Sequence, residues 1–209
     1  MLRSLSLALA LFAAVPAFAA PAAVLPGLAD VADVAANDVL NVRAKPDAKS
    51  EIVTTLAPNA KGVEVLGFDP TGKWAKVSIS ESTGWASGRF LRLRKDLWPA
   101  DGVPASLICS GTEPFWSLRR TPAGMEFSSP DSPVQRLELR KVMARGIDGD
   151  ATRGLIAGNS EGRVTAVIQP EICSDGMSDR SFGLSATLIL DGSAKSAQML
   201  SGCCSVVPR

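Results

Sequence analysis

Val63 to Ser87 reads VEVLGFDPTGKWAKVSISESTGWAS. Three short apolar runs stand in it, Val63–Leu66, Trp74–Ile79 and Gly84-Trp85-Ala86, and turn chemistry separates them. In Asp69-Pro70-Thr71-Gly72, the proline presets φ, the aspartate can bond the turn backbone, and the glycine accepts positive φ. Runs of this length, about 10–12 residues apart, predict short antiparallel strands of a small barrel rather than helices. The same grammar continues upstream, where Val39, Leu40 and Val42 precede Lys45-Pro46-Asp47, and Ile52, Val53 and Leu56 precede Pro58-Asn59-Ala60. Downstream, Arg89 to Lys95 alternates basic and apolar residues, as a closing strand with a solvated basic face would.

Working outward, residues 1–19 read as a secretory signal peptide. Arg3 gives a positive start, Leu5–Val15 is apolar, and Ala17-Phe18-Ala19 is a small-x-small cleavage site. Residues 20–30 read as a small-residue spacer without regular structure, 31–94 as the first domain, and 95–104 as a linker rich in Pro and Gly. Trp98 in that linker is expected to dock between two domains. The second domain, 105–209, shows about eight more strand-like runs. They are Ser106–Ser110, Phe115–Arg120, Met125–Ser128, Leu137–Val142, Ala151–Ile156, Val164–Ile168, Phe182–Leu190 and Gln198–Leu200. Leu184, Ala186, Leu188 and Leu190 give the clearest period of two, whereas Val134–Arg145 leaves a helix possible. An antiparallel meander closing into a barrel is the expectation, so the fold class is all-β.

Composition narrows the chemistry. The 209 residues carry 22 Lys+Arg against 21 Asp+Glu, with no His and no Tyr. Without the leader's Arg3 the charges balance, so there is no basic excess for nucleic acid. Without His there is no His-based triad, no Cys–His pair and no common zinc set. All four Cys (Cys109, Cys173, Cys203, Cys204) lie in the second half, and in an exported chain they are expected to form disulfides. Three pairings are possible. Cys203 and Cys204 are neighbours whose side chains point to opposite faces of a strand. That favours Cys109 with one and Cys173 with the other.

Leu40-Asn41-Val42-Arg43, Val63-Glu64-Val65-Leu66, Lys73-Trp74-Ala75-Lys76-Val77, Gly84-Trp85-Ala86-Ser87 and Phe90-Leu91 follow in that order. This series resembles bacterial SH3-like (SH3b) domains. The resemblance implies ligand binding outside the cytoplasm, to peptidoglycan or an envelope peptide, with Asn41, Arg43, Trp74 and Trp85 as candidate contacts. The residues also have mechanical readings. Asn41 can satisfy turn backbone and Arg43 can reach carbonyl or carboxylate groups, while Trp74 can cover the barrel mouth and Gly84 can permit a tight turn. Only Phe68, Trp74, Trp85 and Phe90 are aromatic here, and at least two are expected to fill the core. A proline-peptide groove lined with rings is therefore not expected.

Cys109-Ser110-Gly111-Thr112-Glu113-Pro114-Phe115-Trp116, Cys173-Ser174-Asp175-Gly176-Met177-Ser178-Asp179-Arg180 and Gly202-Cys203-Cys204 are the dense blocks of the second half. They resemble a family of uncharacterised bacterial envelope proteins with GTEPFW, CSDGMSD and terminal GCC blocks, similar in outline to small barrels that inhibit lysozyme in the periplasm. Candidate ligand contacts are Glu113, Trp116, Asp175, Asp179 and Arg180. A glycosidase carboxylate pair and a calcium loop are the sharper alternatives for these carboxylates. The plainer one has Ser174, Asp175 and Ser178 bonding the turn around Gly176, with Arg180 on Asp179 or Glu113. No cofactor, metal or catalytic set follows from the sequence. The functional expectation is an exported, non-enzymatic binding protein of the periplasm or cell exterior, or alternatively an inhibitor of a wall-cleaving enzyme.

Overall fold

A computed structural model describes residues 24–192 and 197–207, so the leader expected at 1–19 lies outside the described residues. All described strand pairing is antiparallel. The first part holds β1 (Gly27–Val31), β2 (Leu40–Arg43), β3 (Ile52–Leu56), β4 (Val63–Phe68), β5 (Trp74–Ile79), β6 (Ser82–Ser87) and β7 (Leu91–Leu93). They form one sheet in the order β3-β2-β6-β5-β4-β1-β7. Its core is built of Ala29, Val42, Val65, Ala75, Val77 and Ala86 with a few larger aliphatics, and Phe90 is the one aromatic packed against it. The expected pair of core rings is thus corrected, because alanine and valine already fill so small an interior.

Two further expectations change here. Gly27 to Asp30 lie in the segment read as a spacer, yet they begin β1, which is inserted between β4 and β7 with Ala29 fully buried. Ala29 and Val31 join the core of the first sheet there, while Leu28 faces the barrel. Gly84 stands within β6, not at a turn. A Cβ there would lie 2.6 Å from Val42 Cγ1 and 2.9 Å from the Arg43 carbonyl, so close approach of β2 excludes any side chain.

The second part is a closed eight-stranded barrel. Its strands are β8 (Ile108–Thr112), β9 (Phe115–Thr121), β10 (Gly124–Ser129), β11 (Ser132–Ala144), β12 (Arg153–Gly158), β13 (Gly162–Ser174), β14 (Ser181–Gly192) and β15 (Gln198–Ser205). Each strand pairs with the next, and β15 on β8 closes the ring. Val134–Arg145, where a helix was possible, is mostly strand β11. Disulfides join Cys109 to Cys204 and Cys173 to Cys203. The first lies inside the barrel core, directly across β8 and β15. Cys203 points the other way and holds the end of β13 against the outer wall.

One end of the barrel is plugged. Arg153 is almost wholly buried there and donates to the carbonyls of Gly102, Asp150, Thr152 and Pro99. Its guanidinium lies 5.3 Å from the ring centroid of Trp98, whose Nε1 donates to the Pro26 carbonyl at 2.8 Å. Trp98 therefore pins the segment between the two sheets, and Leu28 of the first sheet joins the barrel core.

Candidate functional site

Alternation along β2, β5 and β6 sends Val42, Ala75, Val77 and Ala86 inward and leaves the intervening residues on the outer face. Register then aligns Arg43, Trp85 and Lys76 in one row across β2, β6 and β5. Trp74 lies opposite Ser87 in the next row, and Asn41 is level with it on β2. The four N-terminal residues singled out in the sequence thus share one face, and both indoles are half-buried outside the core. The turn before Trp74 is locked. The Thr71 hydroxyl donates to Asp69 Oδ2 at 2.5 Å and the Trp74 N–H to Oδ1 at 2.7 Å, which holds the Asp69 carboxyl below its usual value. Arg43 Nη1 donates to the Ser50 carbonyl at 2.6 Å, fixing the loop between β2 and β3. Neither Arg43 nor Lys76 has an ion-pair partner among the described residues. The face therefore offers two indoles beside two cations that have no ion-pair partner among the described residues.

The expected basic face of β7 is different. Arg92 is paired with Asp33, and Arg94 with Asp30 at 2.7 Å.

Toward the barrel, the same outer face of β5 and β6 becomes a junction. Arg180 Nε donates to Ser78 Oγ at 2.9 Å, and the Ser181 N–H donates to Thr83 Oγ1 at 2.6 Å. Arg180 does not reach Asp179 or Glu113 as expected. Its Nη2 lies 3.3 Å from Glu64 Oε2 on β4, because the β13–β14 hairpin rests on the first sheet. Glu64 is fully buried and also accepts from Ser205 Oγ at 3.0 Å and from the Val206 N–H at 2.8 Å. Burial pushes its carboxyl above the ordinary value against the pull of those donors.

The Ser174–Arg180 loop is self-bonded. Asp175 Oδ1 accepts from the Met177 and Ser178 N–H groups, which hold its carboxyl low against burial, and Ser174 Oγ accepts from the Gly176 N–H. Thr112 Oγ1 donates to the Asp175 carbonyl at 3.0 Å, so the two dense sequence blocks do meet. Asp179 and Glu113 are exposed.

Trp116 goes elsewhere. It faces inward from β9 and lies flat on the backbone of β8 and β15, where Gly111 and Gly202 make room. A Cβ on either glycine would come within 2.1 Å and 2.7 Å of the indole. With Phe127 stacked at 6.4 Å, it floors a cup of about 480 Å³ at the unplugged end of the barrel. Phe115, next in sequence, is 54% exposed on the rim.

Lys76 on the Trp74–Trp85 face, and Glu64 and Arg153 as buried organising charges, are the residues that sequence reading missed. Lone charges inside apolar runs were the available signal for Glu64 and Arg153. Residues 38–92 match the family model of a bacterial SH3 domain. No curated protein matches the chain, and no solved structure does. A bacterial SH3 segment suggests a binding module, often for cell wall, and with two disulfides it is compatible with an exported protein. No helix among the described residues is long and apolar enough to cross a membrane.

Proposed function

We propose that the chain is an exported, non-enzymatic binding protein whose first sheet recognises peptidoglycan or an envelope peptide through the Trp74–Trp85 face. The observation that carries this reading is the joint placement of Trp74, Trp85, Arg43 and Lys76 on one outer face of the segment that matches a bacterial SH3 domain. Indole faces cover sugar rings or apolar side chains, and the two cations, without an ion-pair partner among the described residues, suit the free carboxylates of a wall peptide. Asn41, at the edge of the same rows, supplies an amide for the peptide backbone. The first sheet, extended by β1 to Gly27, and the barrel of 105–209 act as two units across the 95–104 linker, with Arg180, Trp98 and Leu28 as ties. The test is co-sedimentation of the oxidised full chain with purified peptidoglycan. Trp85→Ala is expected to weaken binding by about 30-fold or more, as removal of a central aromatic anchor does. Equal sedimentation of wild type and Trp85→Ala, or none by wild type, would overturn the reading.

A second reading is favoured by the closed eight-stranded barrel with its free loop-bearing end: inhibition of a wall-cleaving enzyme. Loss of lysozyme activity at micromolar chain would support it, and full activity of several lysozyme types would remove it.

A further inference from the structure

We propose that the Cys173–Cys203 disulfide is an exchange site for an external dithiol, and that its reduction frees the loop through which the barrel holds the first sheet. The two disulfides meet solvent differently. Cys109 and Cys204 are fully buried in the barrel core, so a reductant reaches that bond only when the barrel opens. Cys173 is half-buried on the outer wall, and its neighbours Glu171, Ile172 and Ser174 are exposed. It lies past a register shift after Pro170, where two further pairs, Cys173 with Phe182 and Ser174 with Ser181, hold the end of β13 to β14. Of the four cysteines, it is the one that a thiolate can approach from solvent.

The exchange balances between the chain and the dithiol. One thiolate of the dithiol attacks Cys173 Sγ, the bond to Cys203 breaks, and Cys203 Sγ leaves as a thiolate that takes up a proton. The second thiol of the reagent then displaces Cys173 from the mixed disulfide. The chain is reduced to two thiols and the dithiol is oxidised to a disulfide. What the bond holds gives this exchange its consequence. The Ser174–Arg180 loop follows Cys173 directly and ends in the residues on which the junction rests. Arg180 donates to Ser78 Oγ and Glu64 Oε2, and the Ser181 N–H donates to Thr83 Oγ1. Ser78 and Thr83 face each other on β5 and β6, two positions from the Lys76–Trp85 pair. Once the outer bond opens, the short end of β13 frays, and Arg180, whose side chain is 15% exposed in the closed junction, moves into solvent. The inference does not depend on what the Trp74–Trp85 face binds.

Timed reduction of the oxidised full chain by dithiothreitol under native conditions tests the proposal. Samples are stopped with N-ethylmaleimide in urea, and the labelled cysteines are located by peptide mass spectrometry. Cys173 and Cys203 are expected to be labelled about tenfold or more faster than Cys109 and Cys204. Trypsin is then added to chain in which the outer bond alone has been reduced and alkylated. Cleavage after Arg180 is expected to be about tenfold or more faster than in the oxidised chain. Cys173→Ser with Cys203→Ser is expected to give the same fast cleavage without reductant. The proposal is overturned if the inner bond is reduced as fast as the outer one, or if Arg180 stays as protected after the outer bond opens as before.

Discussion

Glu64 sits inside the apolar run Val63–Leu66, with Val63 and Val65 in the core of the first sheet and Leu66 beside Gly183 of the barrel. β4 is therefore buried on both faces, and the one acid in it must find its donors in the barrel. Removing Arg180 leaves that carboxylate buried without its cation, so Arg180→Ala is expected to lower stability by about 3–5 kcal/mol in urea denaturation. Replacing the pair with Glu64→Leu and Arg180→Met is expected to recover most of the loss. The pH dependence follows from the directions of shift. Burial raises Glu64, so the folded state holds its proton more tightly than the unfolded chain does. That contribution is complete below the unfolded value of about 4.3 and is lost as pH rises through the raised value. Asp30, held low by the Gly62 N–H and Arg94, and Asp150, held low by Arg145, act in reverse. Their contribution is present above about pH 3.9 and is lost as pH falls through their lowered values. Urea midpoints measured across pH should show both slopes, and Glu64→Gln should flatten only the upper one.

At the scale of elements, the two disulfides close loops of different length, 95 residues apart for Cys109–Cys204 and 30 for Cys173–Cys203. Chain entropy then predicts that replacing both cysteines of the first bond by alanine costs about 1 kcal/mol more than replacing those of the second. Equal losses in thermal or urea unfolding would contradict this. The strands of the first sheet were legible because proline, aspartate and glycine mark its turns; β1 was not, because Gly-Leu-Ala-Asp-Val carries little strand signal outside its slot between β4 and β7. β11 was ambiguous for a different reason. A bulge between Leu139 and Lys141 moves the inward set from Leu137 and Leu139 to Val142, and that spacing imitates a helix. The Trp74–Trp85 face was legible in its residues but not in its completion. Lys76 joins it only through register, and Arg180 finds Glu64 116 positions away.

Across the whole molecule, the Glu64–Arg180 junction, the Trp98–Pro26 bond and Leu28 in the barrel core tie the sheet to the plugged end of the barrel. The Trp74–Trp85 face remains on the sheet, and the cup opens at the opposite end of the barrel. The Trp74–Trp85 face and the cup are thus separated in space, and each region has its own tryptophan. The four indole N–H groups report separately on the sheet face (Trp74, Trp85), the link (Trp98) and the cup (Trp116). The most direct measurement is a proton–nitrogen correlation spectrum of the oxidised full chain titrated with soluble peptidoglycan fragments. Shifts of the Trp74 and Trp85 indole signals, with those of Trp98 and Trp116 unmoved, are the predicted result. Four unmoved indoles, or movement of Trp116 alone, would contradict recognition of the wall by the sheet face.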